Sequence, residues 1–408
     1  MQLSTCPACG HHVSVPFYNG GHQPLTTLAY PPTAEDARTL PTFPLDFVRC
    51  VDCGHVYNQA FKYEDVPYSE KNYLMYNAGK LWQDHLRTMA DLLLQYLPAK
   101  PVVIEIGCGE GHLLRAMAEA CPQGRFIGFD PNENIACVTG DADAAIIGRM
   151  EARRELFDPS IHLAEYRPDL IISRHVLEHL INPLGFLQSM AFSADWEGIE
   201  TKLFIEVPCI DRVFETGRTV DFFYEHNSHF TTTSLERMLS RCTGEVLRVE
   251  RGYNDEVVYG LATLRPSAER AGFAQAALQF HHNAQEAQRT IAQQLAQIVA
   301  SGKSVAIWGG TGKGSAFINR YGIDAQRFPR VIDSDRRKKG DFVPGQGQTI
   351  DTPDTLLETP ADILIISTQW RAKDILLEIQ KTGITYQSVL IEHDGRLVDF
   401  HKESHPYQ

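Results

Sequence analysis

A chain of 408 residues exceeds one ordinary core, and with 43% hydrophobic and 22% charged residues it predicts a globular protein of two or three domains. Its net charge of −13 leaves no electrostatic footprint for nucleic acid or for an anionic membrane. The start, MQLSTCPACGHH, lacks the basic flank and apolar core of a signal peptide, and no stretch approaches bilayer-spanning length, so a cytoplasmic protein is expected.

In a reducing compartment the nine cysteines need an explanation other than disulfides. Four fall in two pairs, Cys6-Pro-Ala-Cys9-Gly and Cys50-Val-Asp-Cys53-Gly. Thiolates two residues apart grip one metal ion from a tight turn, and a second such turn completes a tetrahedron. Each turn ends in a glycine that tolerates the positive φ of such knuckles. All four ligands being cysteine, the expected zinc is structural, with Cys6, Cys9, Cys50 and Cys53 as its ligands. Residues 1–70, rich in turns and prolines, read as a small module that this ion staples. Cys108, Cys121, Cys137, Cys209 and Cys242 read as small buried hydrophobes.

The stretch LWQDHLRTMADLLLQYL (81–97) has helical spacing, and from there strand-like and helix-like segments alternate. VVIEI, HLLRAMAEA, RFIGFD, DLIIS, HVLEHL and KLFIEV follow in order, the rhythm of a doubly wound, mostly parallel sheet over 71–265. Residues 221–245 fall outside that rhythm and collect aromatics, His and Glu. Residues 266–300 read as a linking helix, its pattern long and proline-free over 268–300, and 301–408 repeat the β/α alternation as a Rossmann-like domain.

Two glycine turns compete for the chemistry. In the first, Glu105-Ile-Gly107-Cys-Gly109-Glu-Gly111 follows a strand and opens a helix, so the backbone can approach a ligand closely. Its GxGxG spacing resembles the first motif of class I methyltransferases, whose loop holds S-adenosylmethionine (SAM). Asp130 closes the next strand, about 20 residues on, where an acid receives both ribose hydroxyls. A nicotinamide dehydrogenase uses a similar frame. SRHVLEHL at 173–180, which matches the post-strand motif of the methyltransferases, favours SAM.

The whole chain resembles the sugar C-methyltransferases of deoxysugar biosynthesis. GGHQPL (20–25), EIGCGEG (105–111), YEHNSHFTTTSL (224–235), IWGGTGKGSAFINRYGI (307–323) and DSDRRKKGDFVPG (333–345) carry the likeness nearly end to end. The resemblance implies a zinc module, a class I SAM domain and a C-terminal Rossmann-like domain, acting on a nucleotide-linked keto-deoxysugar. Methylating carbon needs a base beside a carbonyl, a donor for the developing oxyanion and an aligned, dry pocket. Glu225 and His226 match the family's Glu-His pair, whose His is proposed as base, with the neighbouring carboxylate raising its basicity. His179 matches a second family histidine, His175 less well, and the choice of base between His226 and His179 stays open. Tyr76, or Tyr73, stands nearest the family's N-terminal tyrosine.

There are departures. The family's tyrosine two residues before the glutamate is Phe223 here, the next position is Tyr224 instead of His, and YNAGK (76–80) replaces a serine-rich run. Tyr224 is the candidate to reach the oxyanion in place of the missing phenol. A SAM-dependent O- or N-methyltransferase, or a ligand-sensing scaffold, are the competing readings.

The second turn, GGTGKGS (309–315), fails as a P-loop, because position 307 is Ile and Gly314 stands where the magnesium-binding hydroxyl belongs. In the resembled family this loop opens the third domain without a redox cofactor. Lys313, Gly310 and Gly312 are therefore candidates to receive the acceptor's diphosphate, or form a turn that only packs helix on sheet.

Overall fold

The computed structural model describes residues 2–68, 77, 79–132, 146 and 148–408, which form two compact units, Met1–Ala271 and Gly272–Gln408. Among the described residues no helix is long and apolar enough to cross a membrane.

Unit 1 holds two sheets. The first is built from β1 (Gln2–Leu3), β2 (Val13–Pro24), β3 (Thr42–Cys50) and β4 (Val56–Asn58), each antiparallel to its neighbour. The second begins with β5 (Val102–Ile106), β6 (Arg125–Phe129), β7 (Met150–Arg153), β8 (Leu170–Arg174) and β9 (Thr201–Pro208). The chain then returns to the first sheet: β10 (Ser228–His229) pairs with Val56 and Tyr57. That return explains why 221–245 lies outside the β/α rhythm. Its strand completes the N-terminal module, while its helix, Thr232–Cys242, sends Leu235, Met238 and Leu239 into the core of the second sheet. Finally β11 (Glu245–Gly252) and β12 (Val257–Leu264) close the second sheet in the order β11-β12-β9-β8-β5-β6-β7, with β12 antiparallel to β9 and the other central pairs parallel. This is the expected class I methyltransferase sheet.

Central strands covered on both faces must be apolar throughout, and Val103, Ile104, Ile127, Ile171, Ile172, Leu203 and Ile205 are all fully buried. Helix Lys80–Leu94 turns Leu86, Met89, Ala90 and Leu93 inward from the predicted helical pattern. The one local departure is HVLEHL, which forms a single 3₁₀ turn, Leu177–His179, in place of a helix. His175 takes a left-handed φ of 53° as the chain leaves β8, and Pro183 already opens the next helix, Pro183–Trp196.

Unit 2 repeats a Rossmann-like pattern. Strands β13 (Val305–Trp308), β14 (Arg330–Ile332), β15 (Ile350–Asp351), β16 (Ile363–Ile366), β17 (Ser388–His393) and β18 (Arg396–Asp399) lie in the order β15-β14-β13-β16-β17-β18. All pairs are parallel except β17 with β18. The long helix, Ala268–Ala300, sends Ile291 and Leu295 into this unit's core beside Val305, Ile307 and Ile365.

Candidate active site

The two cysteine knuckles are built identically. In each, the glycine N–H bonds the first cysteine's carbonyl (Gly10 to Cys6, 2.8 Å; Gly54 to Cys50, 3.1 Å), and both glycines have φ of 78°. The knuckles face each other with Sγ–Sγ distances of 3.7 Å (Cys6–Cys53) and 3.6 Å (Cys9–Cys50), all four sulfurs lying within 4.8 Å. Tetrahedral Zn–S bonds near 2.3 Å place sulfurs about 3.8 Å apart, so this donor set fits zinc in chemistry and in size. Of the other cysteines, Cys108, Cys209 and Cys242 are buried, Cys121 is half-buried, and Cys137 lies outside the described residues.

The first glycine turn wraps the C-terminal end of β5. Gly107, Gly109 and Gly111 all have positive φ (67°, 52° and 71°). A Cβ on Gly107 would stand 2.4 Å from Val176 Cγ2, whereas one on Gly109 would meet nothing within 4 Å. Gly107 thus lets the 175–179 turn pack onto the loop, and the space beside Gly109 is open for a ligand. Asp130 sits at the end of β6, its Oδ2 accepting from Gly109 N–H (3.0 Å) and its Oδ1 from Asn132 N–H (2.9 Å). A carboxylate has lone pairs beyond those two, so it can also accept from a ribose diol. Glu105 is only 2% exposed, with Oε2 unbonded and Arg174 3.8 Å from Oε1. Burial pushes its carboxyl up to about 7 in spite of that arginine. The cradle fits the amino-acid and ribose parts of SAM.

Beyond Val176, the structure brings His179 and His226 together, their ring centroids 4.8 Å apart. His179 Nδ1 lies 2.8 Å from the Glu225 carbonyl oxygen and 3.2 Å from Tyr68 Oη, which itself donates to that carbonyl at 2.8 Å. The Glu225 carbonyl thus fixes the direction of the His179 ring. His226 makes no hydrogen bond among the described residues and packs on Phe223 at 4.2 Å, so the ring that replaces the family's phenol lies directly on it. Burial, then His179, His229 and His175, hold His226 well below the usual imidazole range.

Two expected roles differ from the geometry. The Glu225 carboxylate does not support His226. It is fully buried, and its Oε1 accepts from the N–H groups of Thr26 (2.7 Å), Thr27 (2.7 Å) and Leu28 (3.3 Å) and from Thr27 Oγ1 (3.0 Å). An anion over three converging N–H groups binds the loop that follows GGHQPL, which is where that stretch meets the site. Tyr224 is also set apart: its hydroxyl donates to Asp65 Oδ2 (2.7 Å) and accepts from Lys62 N–H (2.9 Å), and its ring stacks on Phe43. With the phenol so committed, burial and then Asp65 push it well above the usual tyrosine range. Tyr76 and Tyr73 lie outside the described residues. Among the described residues the tyrosine that reaches His179 is Tyr68, which sequence reasoning passed over. Its only signal was its place in the aromatic run before KNYLMYN. His229 is 3% exposed and packs on Phe47 and Phe222 as a core residue.

In unit 2, Gly309 (φ 110°) and Gly312 (φ 58°) shape the second turn, and Gly310 packs its Cα face on Ile350. Lys313 opens helix Lys313–Arg320, its ammonium 4.1 Å above the Trp370 ring.

Residues 80–243 match a family model described as a methyltransferase domain, and residues 247–391 match one described as a C-methyltransferase C-terminal domain. The C-methyltransferase NovU of Streptomyces niveus is 25% identical over 373 residues, 86% of each chain. Among solved structures, a SAM-dependent methyltransferase from Aquifex aeolicus is 14% identical, covering 47% of this chain and all of its own, with a TM-score of 0.34. The plantazolicin methyltransferase BpumL in complex with SAH is 13% identical over 45% of this chain and 84% of its own, also at 0.34.

Proposed function

For this chain, which is a SAM-dependent methyltransferase of the C-methyltransferase family, we propose that the acceptor is a nucleotide-linked keto-deoxysugar, methylated at the carbon beside its ketone. The observation that carries this reading is the His179–His226 pair, placed one residue-contact from the SAM loop through Val176. An O- or N-methyltransferase has no need of a base able to take a proton from carbon. Here one imidazole is oriented by a backbone carbonyl and the other is kept neutral by burial.

When bound, SAM supplies an electrophilic methyl group. Gly107, Gly109 and Gly111 give their backbone to its amino-acid part, and Asp130 accepts from its ribose. Either His226 or His179 takes the proton beside the ketone. The C–H electron pair becomes the enolate, whose carbon forms the new bond to the methyl as the carbon–sulfur bond breaks. The Tyr68 hydroxyl donates to the Glu225 carbonyl and so steadies the acceptor that holds the His179 ring. Glu225 acts at one remove, fixing residues 26–28 on one side and, through its carbonyl, the His179 ring on the other. Gly310, Gly312 and Lys313 are assigned to the acceptor's diphosphate, with the Lys313 ammonium as counter-charge. The four-cysteine site is assigned to one structural zinc, which holds the module carrying Tyr68; metal analysis should find one zinc per chain, absent after Cys50→Ser.

Incubation with nucleotide-linked keto-sugars in deuterated buffer tests the reaction. Deuterium should enter beside the ketone without SAM, and with SAM the mass gain of one methyl should sit on carbon. Methyl transfer to oxygen or nitrogen alone, with no exchange, overturns the reading.

A further inference from the structure

The carboxylate expected beside the catalytic imidazoles is turned away, and another stands in its place. Glu178, on the 3₁₀ turn, is 1% exposed, and neither of its oxygens makes a hydrogen bond. One of those oxygens and a ring nitrogen from each of His179 and His226 lie within 4.8 Å of one another. We propose that Glu178 is the counter-charge of the His179–His226 pair, balancing the charge once one of the rings has taken a proton. The proposal rests on the enolisation reading above.

Behind Glu178 lies a buried chain of alternating charge. His175 Nδ1 is 3.6 Å from Glu178 Oε1, and its Nε2 is 3.4 Å from Glu206 Oε1. Glu206 is itself held by Arg174 (2.8 and 2.9 Å) and by His85 Nε2 (2.7 Å). The two glutamates overcome the burial of His175 and raise its imidazole to about 9, so it stays protonated at neutral pH. His175 holds this place with a φ of 53°, and its N–H is bonded to the Glu206 carbonyl at 2.9 Å. Backbone strain in a residue of this kind marks a position that the surroundings enforce. Among the described residues the other titratable neighbours of the two rings are Tyr68, which bonds the Glu225 carbonyl, and His229, which burial lowers to about 3. The Glu225 carboxylate is turned toward residues 26–28.

When the base takes the acceptor's proton, the C–H bond breaks, an N–H bond forms and an imidazolium appears in a site with little water. A carboxylate within about 5 Å stabilises that cation and raises the imidazole pKa by about one unit. The pH profile of SAM-independent deuterium exchange reads this effect at the enolisation step. In Glu178→Gln the acid limb should move down by about one pH unit and the plateau should fall about tenfold, with the acceptor KM within about threefold of wild type. His175→Asn, an exchange that tolerates positive φ, frees Glu178 from its cation and should move the same limb up. Opposite shifts cannot come from loosened packing. Glu178→Asp keeps the charge and should restore the limb, and it serves in place of Glu178→Gln if that variant fails to fold. An acid limb unmoved in the Gln and Asn variants overturns the proposal. A divalent ion beyond the cysteine site, retained by wild type and lost in Glu178→Gln, overturns it too, because the three donors would then be a metal site. Absence of exchange in the wild-type protein itself would sink the enolisation reading instead.

Discussion

Gly107 and Gly309 begin turns that are built alike, one in each unit. Gly107 N–H bonds the last carbonyl of β6 (Phe129, 2.8 Å), and Gly309 N–H bonds the last carbonyl of β14 (Ile332, 2.7 Å). A second glycine then donates to the acid after that strand, Gly109 to Asp130 at 3.0 Å and Gly310 to Asp333 at 3.3 Å. The other carboxylate oxygen takes the N–H two residues on, from Asn132 or Asp335, at 2.9 Å in both. Two side chains distinguish the pair. Asp130 faces no cation among the described residues, whereas Lys338 Nζ lies 2.9 Å from Asp333 Oδ2. Glu105 is buried two residues before the first turn, where the second has Ile307. The same backbone thus leaves the acid of the first turn without a cation among the described residues and pairs that of the second with Lys338.

The largest test of that difference is the pair Asp130→Asn and Asp333→Asn. Two charge-assisted bonds to a ribose diol are worth about 3–4 kcal/mol together, so SAM affinity by titration calorimetry should fall ~10²–10³-fold in the first variant. It should stay unchanged in the second. Equal losses in both would mean that the turns are not specialised.

Glu105 against Ile307 gives the next effect. The Glu105 carboxyl is raised from 4.5 to about 7 by burial, so its contribution to stability is complete below about pH 4.5 and disappears as pH rises through about 7. Wild-type unit 1, free of SAM, should therefore weaken between pH 5 and 8. Glu105→Gln should flatten that slope and be the more stable protein at pH 8, by about 2 kcal/mol in urea unfolding. Parallel pH profiles for the two proteins would show that the carboxyl is not held neutral.

The fold was legible because β5, β8 and β13 announce buried parallel strands in runs such as VVIEI, LIIS and VAIW, and glycine turns punctuate them. The cysteine pairs were equally legible, since ligand spacing is a local property. The partnerships of the site were not. Glu225 precedes His226 in the chain, but adjacency in a turn does not decide a side chain's partner. Its carboxylate meets residues 26–28, almost 200 positions away, and the Tyr224 hydroxyl meets Asp65, 159 positions away. Tyr68 and Glu178 reach the histidines through the return of β10 to the N-terminal sheet and through a 3₁₀ turn, neither of which has a periodicity to read.

Lys313 gives the smallest effect and bears on what the second turn does with its neutralised acid. Its ammonium rests 4.1 Å above Trp370, a half-exposed indole, so the cation has a partner that a diphosphate would have to outbid. An exposed cation–π contact is worth about 0.5–1 kcal/mol, less than a charge-assisted bond to phosphate at about 1.5–3 kcal/mol, so the exchange favours the anion by roughly 1 kcal/mol. Lys313→Ala should accordingly raise the acceptor KM five- to tenfold, leave the SAM dissociation constant unchanged, and make acceptor binding less sensitive to salt. Trp370→Ala removes the competing partner and should lower the acceptor KM if the lysine alone binds the diphosphate. A Lys313→Ala enzyme with an unaltered acceptor KM would leave 309–315 as a turn that packs helix on sheet, and one with lost SAM affinity would erase the division of labour between the two turns.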